Sequence, residues 1–489
     1  VWVKDGPGIG KAVADWMTHG KTAHDFFGID VGRFYPIQKS SEVVASRCYE
    51  IAQKVYTPAV HPREPFATGR ELRVGPFYPR EVELGGYFME VAGWERAHGY
   101  QSNEETLLSK YRDQVPLREH EWDSRHFWEV SNAEHLELSS SAGMINLSHF
   151  AIYDLSGPDA ESLIEYLAVA KVGDNTPVGR GIYTHFLDKE GGIRADLTIV
   201  RLEKDAYRII CGGDTGHRDL VWINNMAKAR KADIQLDDKT EFLATLGLWG
   251  PKARSILGNL MAQPEDISHE NFPFATAKKI DVQGIPVWAF RISYVGEQGW
   301  ELYIPFEYGL RLWDLLYDAG VTPVGIETYA NSRRLEKSLR LQNANLLTDY
   351  NLCEAGLARK LVKKANFHGK EAYIEQRGLK KQDAYLCTLV MLENKDAEGV
   401  ERYPLGEWPI LHKETKEVLV DLKGRRSFST DIAFGPSLGV NILMAYIPSE
   451  HAAVGKEFLL EYFCEHYTVR LEVVGYSALL DPENERPKS

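Results

Sequence analysis

The chain is poor in cysteine. Its 489 residues hold five, Cys48, Cys211, Cys353, Cys387 and Cys464, with no CxxC pair and no Cys/His cluster. That scatter excludes a disulfide framework and a structural zinc site, and it fits a reducing compartment: the cytosol is expected, with the mitochondrial matrix as the alternative. No run approaches the roughly 18 to 20 apolar residues of a membrane span, so membrane insertion is excluded as well. Cations are the minority charge. Lys plus Arg total 57 against 70 Asp plus Glu, a net charge of −13 that repels polyanions and removes nucleic acid from the partners to consider. HExxH and G-x-S-x-G are both absent, so a metal or triad hydrolase has no support and no metal is expected. The opening Val1-Trp2-Val3 shows neither a basic n-region nor an apolar h-region; no targeting peptide is expected, and the chain reads as a piece of something longer.

What is present is an ordinary globular composition, 44% hydrophobic and 26% charged, with length for about three domains. Val1 to Lys4 reads as a short strand, Gly6-Pro7-Gly8-Ile9-Gly10 as a glycine turn, and Lys11 to Thr18 as a helix stopping before Gly20. The glycine spacing fits neither GxGxxG nor GxxxxGK[ST], because Lys11 and Asp5 stand where glycines are needed. A plain tight turn and a helix N-terminus open to an electron-rich ligand are both compatible with it. Residues 26–130, rich in Pro, Arg and aromatics, read as a connector with short helices. Asp154 to Asp159 reads as a turn into a helix ending at Ala168, with Ser156 as N-cap. A helix is expected from Tyr329 to Leu341, a linker at Arg377 to Lys381, and a small β-barrel over the last hundred residues.

Two hairpins carry the chemistry. In the first, Ile182 to Leu187 turns at Lys189-Glu190-Gly191-Gly192 and returns as Ile193 to Val200. Pairing about its centre puts His185 opposite Asp196 and Tyr183 opposite Thr198, one polar patch on one face. An Asp inside a strand reading Leu-Thr-Ile-Val breaks local propensity, a break that tends to mark function. In the second, Val287 to Tyr294 turns around Gly296 to Gly299 and returns as Trp300 to Ile304, which makes Tyr294 and Glu301 a cross-strand pair suited to a heterocyclic amide such as a pterin. Both hairpin faces can equally be solvated surface. Arg333 and Arg334 can clamp a carboxylate or lie on a solvated helix face.

Several ordered blocks then resemble the folate-binding module of glycine-cleavage T protein and of dimethylglycine and sarcosine dehydrogenases. They include Gly157-Pro158-Asp159-Ala160, Pro177-Val178-Gly179-Arg180-Gly181-Ile182-Tyr183-Thr184, Gly191-Gly192-Ile193-Arg194-Ala195-Asp196, Trp249-Gly250-Pro251-Lys252, Tyr294-Val295-Gly296-Glu297-Gln298-Gly299-Trp300-Glu301, Arg334-Leu335-Glu336-Lys337 and Phe434-Gly435-Pro436-Ser437-Leu438-Gly439. Gly86 to Arg96 resembles the connector of the dehydrogenase branch, and Gly8 to Trp16 the last glycine turn and helix of its FAD domain.

The resemblance implies an α+β fold. Residues 1–25 would be the tail of an FAD-binding domain, 26–130 the connector, 131–375 a T-protein-like folate-binding module of antiparallel sheets with helices, and 376–489 a small C-terminal β-barrel. It implies tetrahydrofolate and FAD as cofactors, the FAD held mainly by a domain or subunit outside this chain, and an N-methylated glycine-type amine as substrate. Asp196 would be the catalytic carboxylate, Tyr183, Tyr294, Glu301 and Arg334 would bind folate, and Gly8 and Gly10 would be remnants of the flavin contact. The product would be 5,10-methylenetetrahydrofolate. The alternatives are a stand-alone tetrahydrofolate-dependent methyltransferase or demethylase without flavin, and a non-catalytic folate-binding subunit. Two departures from the family pattern bear on folate contacts: Gly212-Gly213-Asp214, where T proteins carry an Asn, and Asn345 to Glu354, where an acidic TPLEAGL-like segment is usual.

Overall fold

A computed structural model describes residues 5–55, 60–173 and 176–489. The strand expected at Val1 to Lys4 lies outside them. The glycine turn is instead helix: Gly6–His19 is continuous, with Pro7 in the first turn, where its missing N–H costs nothing, and Gly20 closing it in the left-handed region at φ 76°. Gly8 and Gly10 therefore sit inside a helix and not in a loop beside a ligand.

Two sheets form the centre. The first is antiparallel and five-stranded, in the order Gly181–Leu187, Ile193–Glu203, Ala206–Cys211, Ala151–Ser156, Gln235–Asp238. Along Ile193–Glu203 the period of two is visible: Ala195, Leu197 and Ile199 enter the core under a helix, while Arg194, Asp196 and Thr198 point to the other face. Helix Ala160–Leu167 covers the core face with Ala160, Leu163, Ile164 and Leu167, spaced i, i+3, i+4, i+7 as one helical stripe requires. Ser156, expected as its N-cap, is the last residue of a strand, paired with Ala206 and Gln235; Asp159 occupies the N-cap position.

The second sheet has six strands, in the order Ala277–Val282, Ile285–Phe290, Gly299–Pro305, Leu243–Trp249, Gly143–Asn146, Thr322–Pro323, with only the last pair parallel. Helix Gly309–Asp318 buries Gly309, Leu312, Trp313 and Leu316 against it, again at i, i+3, i+4, i+7. Truncating Leu163 or Leu312 to Ala would cost about 2–5 kcal/mol in either layer.

The sheets meet at their edges. Ala277 N–H donates to Gly179 O at 2.7 Å and Gly181 N–H to Ala275 O at 2.9 Å. A Cβ on Gly179, at φ 82°, would stand 2.5 Å from Ala277 O, and one on Gly181 2.4 Å from the Phe290 ring, so this seam needs both glycines. Ile152, Val200, Ile210, Phe290 and Tyr303 fill the space between the sheets. A third, curled antiparallel sheet, Ile410–Leu411, Glu457–Tyr462, Glu465–Val474, Ala384–Met391, Val440–Pro448, Ser429–Gly435, closes the chain as expected of a barrel-like end. It docks through Leu386, Ile442, Met444 and Tyr446 onto Leu335 and Tyr350.

Candidate functional site

The first hairpin has the register its sequence predicts. His185 faces Asp196 and Tyr183 faces Thr198, across a tight turn in which Gly191 adopts φ 81°. Tyr183 lies with its hydroxyl within hydrogen-bonding reach of the Asp196 carboxyl. His185 Nε2 stands 3.1 Å from the same hydroxyl. Burial, reinforced by Arg359, lowers His185 to about 3, so its imidazole is neutral; Nδ1 is buried without a partner. Burial also pushes the Asp196 carboxyl up to about 7, the nearby Asp219 adding to this and the Tyr183 phenol opposing it. Tyr183 is 40% exposed and Asp196 is partly exposed, whereas His185 is buried.

The second hairpin departs from its expected register. Its strands are Ile285–Phe290 and Gly299–Pro305, and Glu301 pairs with Phe290. Tyr294 lies in the eight-residue connection between them and is not the cross-strand partner of Glu301. Past Phe290 the pairing with Gly299–Pro305 ends, while Arg291 stays bonded to the segment that leads into Ala277–Val282. Its N–H bonds Thr276 O at 2.8 Å, and its buried guanidinium donates to Phe272 O at 2.7 Å and to Lys488 O at 2.9 Å.

The final segment straps this connection from outside. Lys337 Nζ donates to Asp481 O at 2.8 Å, and Arg486 donates to Glu297 Oε1 at 3.1 Å. Tyr294 is nonetheless placed firmly. Its hydroxyl donates to Arg340 O at 2.5 Å, and its ring lies 5.0 Å from Tyr329, which in turn packs 5.7 Å from Trp249.

Glu301 is buried, accepts the Tyr303 hydroxyl at 2.6 Å, and is pushed up to about 7 by burial. Tyr329 links the two hairpins: burial raises its phenol, with Glu301, Tyr294 and Asp196 adding to the rise, and Asp196 likewise adds to the burial-driven rise of Tyr294 and Tyr476. An acid from one sheet and a phenol and an acid from the other thus border a common region. Tyr329, Tyr476, Tyr303 and Arg359 were not singled out from sequence. Tyr329 is carried by a π-helical turn, Thr328–Arg333, that passes into one α-helical turn, Arg334–Glu336. The long helix expected to Leu341 stops there, because Ser338 adopts φ 51° and turns the chain.

Arg334 is fully buried, not a solvated helix residue and not a clamp held out to a ligand. Its guanidinium pairs with Asp431, bonds Asn345 Oδ1 at 3.0 Å, and donates to the Ala330 and Leu339 carbonyls. Its charge still reaches the Tyr294 phenol, lowering that phenol's proton affinity against the effect of burial.

Both family departures have structural roles. Gly213 lies so close to His149 O that a Cβ would overlap it at 1.9 Å, and Asp214 accepts from Asn343 Nδ2 at 2.9 Å. Asn345 anchors Leu341 N–H and Thr430, and Glu354 pairs with Arg425. No group of three His, Cys, Asp or Glu side chains among the described residues could hold a metal, and no helix among them is long and apolar enough to cross a membrane.

The donor set suits a pterin: two carboxyls near neutrality that can accept from N–H groups, a part-exposed phenol and an aromatic stack. A flavin is not accommodated in the same way. Gly8 and Gly10 belong to a helix that buries none of its residues, and a Cβ on either would meet nothing within 4 Å.

Residues 77–365 match the GCVT N-terminal domain family and residues 19–74 the FAD dependent oxidoreductase central domain. The chain is 30% identical over 477 residues to mitochondrial dimethylglycine dehydrogenase of Homo sapiens, covering 94% of this chain and 50% of that protein. It is 30% identical over 420 residues to mitochondrial sarcosine dehydrogenase of Mus musculus, covering 79% and 45%. It thus spans about half the length of these relatives. Among solved structures, the glycine cleavage system aminomethyltransferase T from Bartonella henselae superposes with a TM-score of 0.65 at 22% identity, over 82% of this chain and 97% of that one, a likeness of fold. The chain belongs to the GCVT N-terminal domain family, with a preceding segment that matches the central domain of FAD dependent oxidoreductases.

Proposed function

We propose that this chain binds tetrahydrofolate between its two hairpins and captures a one-carbon unit released from an N-methylated glycine-type amine. The observation that carries the reading is the convergence of Asp196 and Tyr183 from one sheet with Tyr294 and Glu301 from the other around Tyr329. Tetrahydrofolate supplies the nucleophilic nitrogens that take up a formaldehyde-level carbon as 5,10-methylenetetrahydrofolate. Oxidation of the amine belongs to a flavin held by another domain or subunit, and no residue of this chain performs it. An apolar stripe suited to such a neighbour exists on the helix Gly6–His19, where Val13, Trp16 and Met17, spaced i, i+3, i+4, are all exposed.

In this reading Asp196, poised near neutrality, orients the reactive nitrogens and takes or returns their proton. Tyr183, backed by neutral His185, donates to that carboxyl and walls the site. Glu301 accepts ring N–H groups, and Tyr294, braced by Tyr329 and Trp249, stacks on the pterin. Two of the named relatives are mitochondrial, which favours a matrix setting over the cytosolic one. The test uses the complete flavoprotein turning over dimethylglycine with tetrahydrofolate present. Asp196→Asn should leave amine oxidation intact while free formaldehyde replaces methylenetetrahydrofolate as product. Unchanged capture would overturn the assignment.

A further inference from the structure

Away from the folate region, a cavity of about 470 Å³ opens where Asp113–Pro116 of the connector meets the curled C-terminal sheet. That volume is within the range of small-molecule sites. Its charged lining is of one sign. Asp113, Glu393 and Glu401 border it, and no Lys, Arg or His does. Two of the three are oriented by neighbours: Tyr403 donates to Glu401 Oε2 at 2.8 Å, and Thr468 donates to Glu393 Oε1 at 3.0 Å. Lys413, a cation in the field of Glu393, is committed to Glu457. The remaining wall mixes the amides of Gln114, Asn394 and Asn441 with apolar residues such as Phe434 and Val440, and the Phe434 ring sits edge-on 6.2 Å from that of Tyr403.

The spread of these charges selects among cations. Among the described residues no three carboxylates, thiols or imidazoles gather closely enough to chelate a metal ion. The charges therefore surround a volume and do not converge on a point. A bare divalent ion, which needs six or more close oxygens, gains little from such a shape. A cation whose charge is spread over several methyl or methylene groups gains both the field of three carboxylates and contact with the aromatic and apolar residues of the wall. A zwitterion would bring its own carboxylate into that field, so glycine-type amines are disfavoured.

We propose that this cavity binds a small organic ammonium ion lacking a carboxylate, at a site separate from the folate region. The proposal does not depend on the folate reading. The test titrates the full chain calorimetrically, at fixed ionic strength, with choline and with its neutral isostere 3,3-dimethylbutan-1-ol. Choline should bind saturably and the alcohol should not. Asp113→Asn combined with Glu393→Gln, both at exposed positions, should weaken choline by about threefold to thirtyfold with an unchanged melting temperature. Equal binding of the neutral alcohol, absence of saturation at millimolar choline, or full affinity in the double variant would overturn it.

Discussion

Asp196→Asn should make the protein more stable while removing folate capture, and the size of the gain follows from the site. The carboxyl titrates near 7 in the folded chain against an ordinary 3.8, burial being the main cause. An acid raised by folding holds its proton longer in the folded than in the unfolded state. Its penalty is absent below about pH 3.8, grows as pH rises towards 7, and is constant above that. Taken in full, the interval is worth ~4 kcal/mol. Water reaches this patch, as the 40% exposure of Tyr183 and the partial exposure of Asp196 show, so screening leaves about half, ~2 kcal/mol.

Asn keeps an oxygen to accept from Tyr183 and carries no charge to desolvate. The variant should therefore gain ~2 kcal/mol near pH 8 and well under 1 kcal/mol near pH 4. Denaturant midpoints at constant m, measured across that interval, give the difference directly. A variant no more stable than the parent near pH 8, or a gain that does not vary with pH, would refute a desolvated carboxyl at this position. The cost retained at Asp196 is then a measure of what the function requires there.

Other substitutions test the neighbours. Tyr183→Phe removes the donor that holds Asp196 down, so the acid limb of the folate-dependent pH profile should move upward by as much as about one unit; a fixed limb would show that the phenol is not its partner. Glu301→Gln should weaken tetrahydrofolate by about tenfold to a hundredfold in calorimetric titration, the loss of one charge-assisted hydrogen-bond pair, and an unchanged Kd would remove Glu301 from the site. Arg334→Ala strands Asp431 and Asn345 and should cost about 3–5 kcal/mol of stability; lost folate affinity at an unaltered melting temperature would instead make Arg334 a ligand contact.

What could be read from the residues was local. The Asp196 hairpin was legible because its turn is short and glycine-bearing, so a period of two and a centre of symmetry give the register outright. The same arithmetic failed for Tyr294 and Glu301, since it assumes a short turn, and the connection here is a long loop whose Arg291 bonds Lys488, nearly 200 positions away. Arg334 read as a surface cation because helical spacing does not reveal that Asp431 and Asn345 arrive from other segments to bury it. Tyr329 carried no signal at all. Its place depends on a π-turn and on Trp249 and Tyr294, contacts that only the folded sheets create. The N-terminal glycines suggested a loop because glycine is a weak helix former, yet Pro7 and Gly20 frame a helix through them.

The strap formed by residues 480–488 has a consequence for how the molecule can vary. The loop presenting Tyr294 is moored through Arg291, Glu297 and Lys337 to a segment that first has to travel the whole curled sheet. A one-residue insertion or deletion between Val474 and Leu480, innocuous by the look of that stretch alone, would shift the mooring and displace the phenol that this loop presents. Tolerance to indels should thus end abruptly after Val474, where the chain stops completing a sheet and begins holding another region's loop in register.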